Sequence, residues 1–365
     1  MEVAARLGRL RPRLEEAGCD ALLVTSLENI RYLTGFTGSA GMLLVAPEVT
    51  FFCSDGRYGE QSAEQMAAAG VEPTTRAIGR PPEQLQALAE AARPFGRLGV
   101  EAHALSWAEK RRLAGVLAEN GAGEEIVATE GLVEALRAVK DADELDRIEL
   151  AADIADVALA QVKSRLGDGL TEAEFGLELD FEMRRRGADD LSFETIVAAG
   201  PNGALPHHRP GARRIEEGDV VVLDFGALVE GYHSDMSRTL TVGRPSSPEM
   251  DGIIEAVLVA QRAGVRALGP GVKCADVDAV CRDSLRGAGF GELFVHGTGH
   301  GVGLLIHEAP ALAVGSADIL EEGAVVTVEP GAYLPGVGGA RIEDTLVVTA
   351  TGSRPLTKST KDTTF

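Results

Sequence analysis

The sequence predicts an α/β domain over residues 1–127 followed by an α+β domain over 128–365. Three observations carry this. A chain of 365 residues is too long for one ordinary core and fits two domains. Its first third alternates helical and strand patterns. Its second part instead pairs long apolar strands around turn signals and keeps its helices apart from them. The composition, 45% apolar and 25% charged, excludes a disordered chain.

In order along the chain, Leu7, Leu10 and Leu14 space like one face of a helix. Residues 21–25, 42–46 and 49–53 read as buried strands, with helical stretches near 60–69 and 83–92. The pattern changes around 128–142, where the domain boundary is expected. Asp141 fits a helix N-cap with Glu144 as its capping-box partner. Leu145, Ile148, Ala152, Ala155, Leu159, Val162 and Leu166 form one stripe at helical spacing. Gly167 and Gly169 end it. A second helix is expected over 171–186, with Phe175, Leu179 and Met183 on one face. Long strands over 219–229 and 232–242 flank Glu230-Gly231, a hairpin signal. Two more, over 324–333 and 340–349, flank a glycine-rich turn at 335–339. Helices fit 249–268 and 274–288. The two hairpins could be halves of an old duplication.

Lys plus Arg total 35 against 56 Asp plus Glu, a net charge of −21. That balance repels phosphate backbones and acidic lipid, so neither nucleic acid nor a membrane surface is an expected partner. Metal cations suit it better. No run approaches the ~18 apolar residues of a membrane span. The start carries four arginines and no apolar run, so a secretion signal is not expected. Cys19, Cys53, Cys274 and Cys281 form no CxxC pair and read as reduced thiols of a cytoplasmic protein, not as a zinc knuckle.

The chemistry concentrates late in the chain, where six of seven histidines lie between His207 and His307. Asp224 and Asp235 sit on the two arms of the first hairpin, with their midpoint in its turn. They should face each other on one side of the sheet, where two carboxylates repel unless a cation lies between them. Glu329 and Glu343, centred on 336, repeat the arrangement inside apolar strands that make unpaired acids costly. One such acid alone is more often salt-bridged or at the surface. Two hairpins that both present paired acids point to a metal site. His296, His300 and His307 fall within twelve glycine-dense residues, which allow close backbone approach to a ligand. His207-His208 follow a Gly-Pro-Asn-Gly loop. Four carboxylates and an imidazole suit two divalent ions, manganese or cobalt, with zinc as an alternative. The natural reaction class for such a pair is hydrolysis.

At these residues the chain resembles the pita-bread metallopeptidases, in their Xaa-Pro peptidase branch of aminopeptidase P and prolidase. The resemblance spans nearly the whole chain. It rests on Leu-Asp224-Phe-Gly, Ser-Asp235-Met-Ser-Arg-Thr, Gly-His300-Gly-Val-Gly, Val-Glu329-Pro-Gly and Arg341-Ile-Glu343-Asp, with successive ligands 11, 65, 29 and 14 residues apart. In the first domain, Ile30-Arg-Tyr-Leu-Thr-Gly-Phe36 and Asp55-Gly-Arg-Tyr58 resemble the creatinase/prolidase-type N-terminal domain. The resemblance implies a dinuclear centre held by Asp224, Asp235, His300, Glu329 and Glu343. Asp235 and Glu343 would bridge the ions, Asp224 would bind one of them, and His300 and Glu329 the other. Glu329 would also act as general base. His207 and His307 would hydrogen-bond the substrate carbonyl and the intermediate, and His296 would line the proline pocket. Arg341 would order a ligand carboxylate. His208, His233 and His103 read as structural. The resemblance also implies a homodimer, in which Arg31, Tyr32 and Tyr58 could restrict substrate length.

The implied reaction is hydrolysis of the bond before proline, whose tertiary nitrogen lacks the N–H that general proteases use. Dipeptidase members often carry an arginine three residues beyond the glutamate of the His-Glu pair, suited to a free carboxylate. Ala311 stands there, and Leu305 stands where an acidic residue is often found. Both departures favour a small aminopeptidase P, with a Xaa-Pro dipeptidase as the alternative. A non-catalytic scaffold and creatinase are remote alternatives, because all five ligands are intact. Methionine aminopeptidase lacks such a first domain.

Overall fold

The computed structural model describes residues 3–245 and 247–364 and divides into two compact units between Arg137 and Ala138. The division lies beyond the expected 127/128 boundary. Glu125–Thr129 forms the edge strand of the first unit's sheet, and Tyr32 Oη donates to Leu136 O at 3.0 Å. Among the described residues, no helix is long and apolar enough to cross a membrane.

The first unit is built on a six-stranded sheet in the order Thr75–Ile78, Thr50–Ser54, Met42–Val45, Ala21–Val24, Arg97–Glu101, Glu125–Thr129. Met42–Val45 runs antiparallel to both of its neighbours, and the other three pairs are parallel. Strands such as Ala21–Val24 are buried along their whole length because helices cover the sheet. This is the α/β layering expected.

The second unit is α+β and has two similar halves. The helix Ala142–Val162 opens on the capping box expected from Asp141 and Glu144. With Glu172–Arg185 it covers one sheet, where Val221, Leu223, Phe225, Met236 and Leu240 complete the core. The helices Pro248–Ala267 and Cys274–Gly287 cover a second sheet through Val326, Val328, Leu346 and Val348. Side chains alternate faces along a strand. Asp224, Asp235, Glu329 and Glu343 all have the opposite parity to these core residues, so each carboxylate lies on the face turned away from the helices.

The four long strands expected here are in fact eight. Val220–Phe225 is separated from Ala227–Val229, and Tyr232–His233 from Met236–Thr241. Val325–Val328 is likewise separated from Gly331–Leu334, and Gly338–Arg341 from Asp344–Thr349. Three breaks fall at Asp235, Glu329 and Glu343, and the fourth, at Gly226, lies two residues beyond Asp224. At a break the backbone leaves its own ladder and must find another partner. Here the partners come from elsewhere in the site: Glu329 N donates to Thr298 O at 2.7 Å and Glu343 N to Ser237 O at 3.1 Å. Thr345 Oγ1 donates to Asp235 O at 2.8 Å. The two hairpins are thereby cross-bonded at the level of the acids.

Registers decide how the acids meet. Val328↔Asp344 and Gly331↔Arg341 are both centred on residue 336, so Glu329 and Glu343 fall opposite each other, as expected. In the first hairpin Asp224 pairs with Ser237, and the turn centres between Glu230 and Gly231, both at positive φ (45° and 74°). Asp235 is therefore the diagonal neighbour of Asp224 on the same face.

The backbone crosses closely at the first break, where a Cβ on Gly226 would lie 1.9 Å from Ser234 O. Gly226→Ala is expected to destabilise the metal-free protein by about 1–3 kcal/mol. Denaturant titration checks this.

Candidate metal centre

Four of the five expected ligands, Asp224, Asp235, His300 and Glu329, line one cavity of about 530 Å³, and the fifth, Glu343, is buried beside them. Asp235, His300 and Glu343 each bring a ligand atom to within 4.8 Å of the others. His300 Nε2 lies 3.2 Å from Glu329 Oε1 and 3.6 Å from Asp235 Oδ2. The other ring nitrogen, Nδ1, is 3.1 Å from Gly301 O, which can only accept, so Nδ1 carries the proton. In the neutral ring Nε2 then presents a lone pair to two carboxylates, which is unfavourable without a proton or a cation between them.

The acids are held by a small polar shell. Arg341 Nη2 donates to Asp224 Oδ2 at 2.6 Å, and its Nε donates to Ser237 Oγ at 2.8 Å. Ser237 Oγ in turn donates to Glu343 Oε2 at 2.9 Å. Thr327 Oγ1 accepts from His300 N at 3.0 Å and donates to Glu329 Oε1 at 3.2 Å. This shell is incomplete: Asp224 Oδ1 and Glu343 Oε1 are buried with no hydrogen-bond partner. Buried carboxylate oxygens without donors are costly. Oxygen-rich donors with unused lone pairs fit hard divalent cations.

The titration behaviour follows the same crowding. Burial first, then the charges of Glu343, Asp224 and Glu329, push Asp235 well above the usual carboxylate range. Burial and the charges of Glu329 and Asp224 do the same to Glu343. Burial would raise Glu329 too, but its hydrogen bond and ion pair with His300 outweigh that and hold it below its ordinary value. His300 is raised by the same contact despite its burial.

His207 and His307 also line the cavity, as does His296. The His307 ring stands edge-on to His300 at 4.4 Å. Burial, then the charge of His300, lowers its pKa. His296 Nδ1 is 2.7 Å from Gly297 O and its Nε2 2.8 Å from Tyr333 Oη. Tyr333 Oη accepts from Arg341 Nη1 at 2.9 Å, which leaves its own proton for His296. His296 is thus a neutral ring with both nitrogens occupied, and burial lowers its pKa further.

His208, expected to be structural, lines the cavity but hydrogen-bonds buried Glu172 at 2.8 Å. His233 bonds Ser192 at 2.8 Å and His103 lies 3.3 Å from Glu134. Tyr32 is 1% exposed beneath the Arg6 guanidinium and packs in the core of the first unit. Ser237, Thr327 and Tyr333 were not anticipated. Ser237 and Thr327 could have been, since each stands two residues from an acid and therefore on the same face. No sequence signal marks Tyr333.

Residues 146–350 match the model of metallopeptidase family M24, and residues 6–139 match the creatinase/prolidase N-terminal domain. The chain belongs to metallopeptidase family M24. A solved Xaa-Pro dipeptidase from Bacillus anthracis is 40% identical, with a TM-score of 0.92 and 99% of each chain covered. The Xaa-Pro dipeptidase of Pyrococcus furiosus is 32% identical over 98% of this chain and 99% of that one. A solved X-Pro aminopeptidase from Thermotoga maritima is 32% identical, with a TM-score of 0.86 and 99% of each chain covered. The pita-bread second unit and the creatinase/prolidase-type first unit are those of this family, and the chain is a metallo-exopeptidase.

A carboxyl group whose folded pKa is raised stabilises fully below its unfolded pKa and loses that contribution as pH rises through its folded pKa. Asp235 and Glu343 therefore weaken the metal-free peptidase at neutral pH. Glu343→Gln should raise the metal-free melting temperature by about 2–4 °C, the equivalent of ~1 kcal/mol, and abolish the further rise on adding Mn²⁺. Thermal unfolding at pH 7.5 with and without metal tests both.

Proposed function

We propose that this peptidase hydrolyses the peptide bond preceding proline in short Xaa-Pro peptides, and that Xaa-Pro dipeptides are its better substrates. The clustering of three carboxylates and one imidazole on the wall of a single cavity, with the carboxylate of Glu343 buried beside them, carries the reading, and the activities named for its relatives support it. Asp224, Asp235, His300, Glu329 and Glu343 would hold two divalent ions, with manganese preferred. Ions held there supply Lewis-acid charge that activates water and polarises a carbonyl.

The chain's own groups do the rest. Glu329, kept ionised by His300, is the general base. His207 and His307 are placed on the cavity wall to hydrogen-bond the scissile carbonyl oxygen and the intermediate. His296 has no free nitrogen and offers a ring wall, suited to an apolar proline. Arg341 holds Asp224 in place. The intact donor set argues against a non-catalytic scaffold.

The dipeptide preference rests on Arg209. No arginine comes from position 311, where Ala311 pairs with His300 across the sheet. Arg209 also lines the cavity, and an exposed ion pair with Glu194 at 3.2 Å is cheap to open. Its guanidinium is available to the free proline carboxylate of a dipeptide. The alanine at 311 favours the second reading, an aminopeptidase P acting on longer peptides. The peptidase is further read as a homodimer, and as cytoplasmic in keeping with its four buried, unpaired cysteines.

The test is hydrolysis of Ala-Pro against Ala-Pro-Ala by Mn²⁺-restored protein, with Asp235→Ala as the inactive control. Faster dipeptide cleavage supports the proposal. Faster tripeptide cleavage replaces it with the aminopeptidase reading, and metal-dependent cleavage of neither ends both. Arg209→Ala should raise KM for Ala-Pro about tenfold and leave Ala-Pro-amide unchanged.

A further inference from the structure

The segment that carries His296 is gripped from behind by the helix Cys274–Gly287. Two of its side chains, one turn apart, make the grip. Arg282 Nε and Nη2 each donate to Asp278 at 3.0 Å. The same guanidinium donates through Nη1 to Phe294 O at 3.1 Å and through Nη2 to His296 O at 2.8 Å. It also lies 4.4 Å over the Phe294 ring. Asp278 Oδ1 accepts from both N and Oγ1 of Thr298 at 3.0 Å. The pair thus binds the chain on either side of His296 and Gly297.

The consequences reach the cavity by two routes. The Phe294 ring meets the His296 ring edge-on at 5.0 Å, and Tyr333 flanks His296 from another side at 5.5 Å. Thr298 O accepts the Glu329 amide at 2.7 Å, an arm that runs through Asp278 and not through the two carbonyls that Arg282 holds. Asp278 is 1% exposed. A buried ion pair is weak evidence for stability, since apolar residues of like volume often serve as well. Its distinctive product here is the fixed position of one ring.

We propose that Asp278 and Arg282 are positioning residues that set the width of the proline subsite by fixing His296. The proposal rests on the Xaa-Pro reading above. Because His296 has no nitrogen to offer a substrate, its contribution is shape, and shape is lost when its main chain relaxes.

The experiment uses the Mn²⁺-loaded protein and two substrates. One is Ala-Pro. The other is alanyl-N-methylalanine, which keeps the tertiary amide but lacks the carbon that closes the ring. Arg282→Met should raise KM for Ala-Pro about tenfold, leave the open analogue within about twofold, and keep kcat and metal content unchanged. Arg282→Lys, which keeps a donor for one of the two carbonyls, should recover part of the loss and serves where the methionine variant does not fold. Equal losses on both substrates, or a fall in kcat together with metal content, would show a merely structural brace and overturn the proposal. Unchanged selectivity in both variants would also overturn it. If the wild-type protein cleaved neither substrate, the peptidase reading itself would fail instead.

Discussion

Four carboxylates forced together inside a protein repel one another, and much of the second unit is arranged around that repulsion. Asp224, Asp235, Glu329 and Glu343 stand on the inner faces of two hairpins whose outer faces are sealed by helix pairs. Asp235 and Glu343 are buried and the other two largely so, which leaves the repulsion less screened than at the surface. One guanidinium, Arg341, answers it directly at Asp224 and indirectly, through Ser237, at Glu343. The charge left over, and the oxygens left without donors, suit the site to multivalent cations. A neutral or apolar core here would be more stable and chemically inert.

The broken strands are the mechanical counterpart of this electrostatics. A continuous hairpin would satisfy every backbone group within its own ladder and leave the two halves of the unit independent. Interrupting the ladders at Asp235, Glu329 and Glu343 frees amides and carbonyls that bond across the site instead, as Glu343 N does to Ser237 O and Glu329 N to Thr298 O. The main chain of Asp235, Glu329 and Glu343 is therefore fixed by contacts from another part of the site. Precision of this kind matters in catalysis, where a misplacement of 1 Å costs on the order of a hundredfold in rate.

Two kinds of histidine share the cavity, and their environments separate their roles. His300 meets carboxylates and gains basicity from Glu329. His296 meets Tyr333 and a main-chain carbonyl and is held neutral by burial. Residue type alone does not distinguish them; their hydrogen-bond partners do.

Much of the site could be read from the chain alone. Period-two alternation placed each acid on one face, and the midpoints at 229.5 and 336 brought them together in pairs. Those rules are local, and they hold because hairpin register follows from the turn. The capping box at Asp141 and the helix stripes were legible for the same reason. Three things were not. The interruption of the strands depends on cross-bonds between segments as far apart as residues 237 and 343. The boundary at Arg137 depends on which sheet accepts the strand Glu125–Thr129. The part of Tyr333, a tyrosine in an apolar strand, depends on Arg341 and His296 arriving from either side. Local sequence thus determined which residues could be ligands and which face they take. Only the packing of one hairpin against the other decided how far apart their oxygens lie and which of them are left without a proton donor.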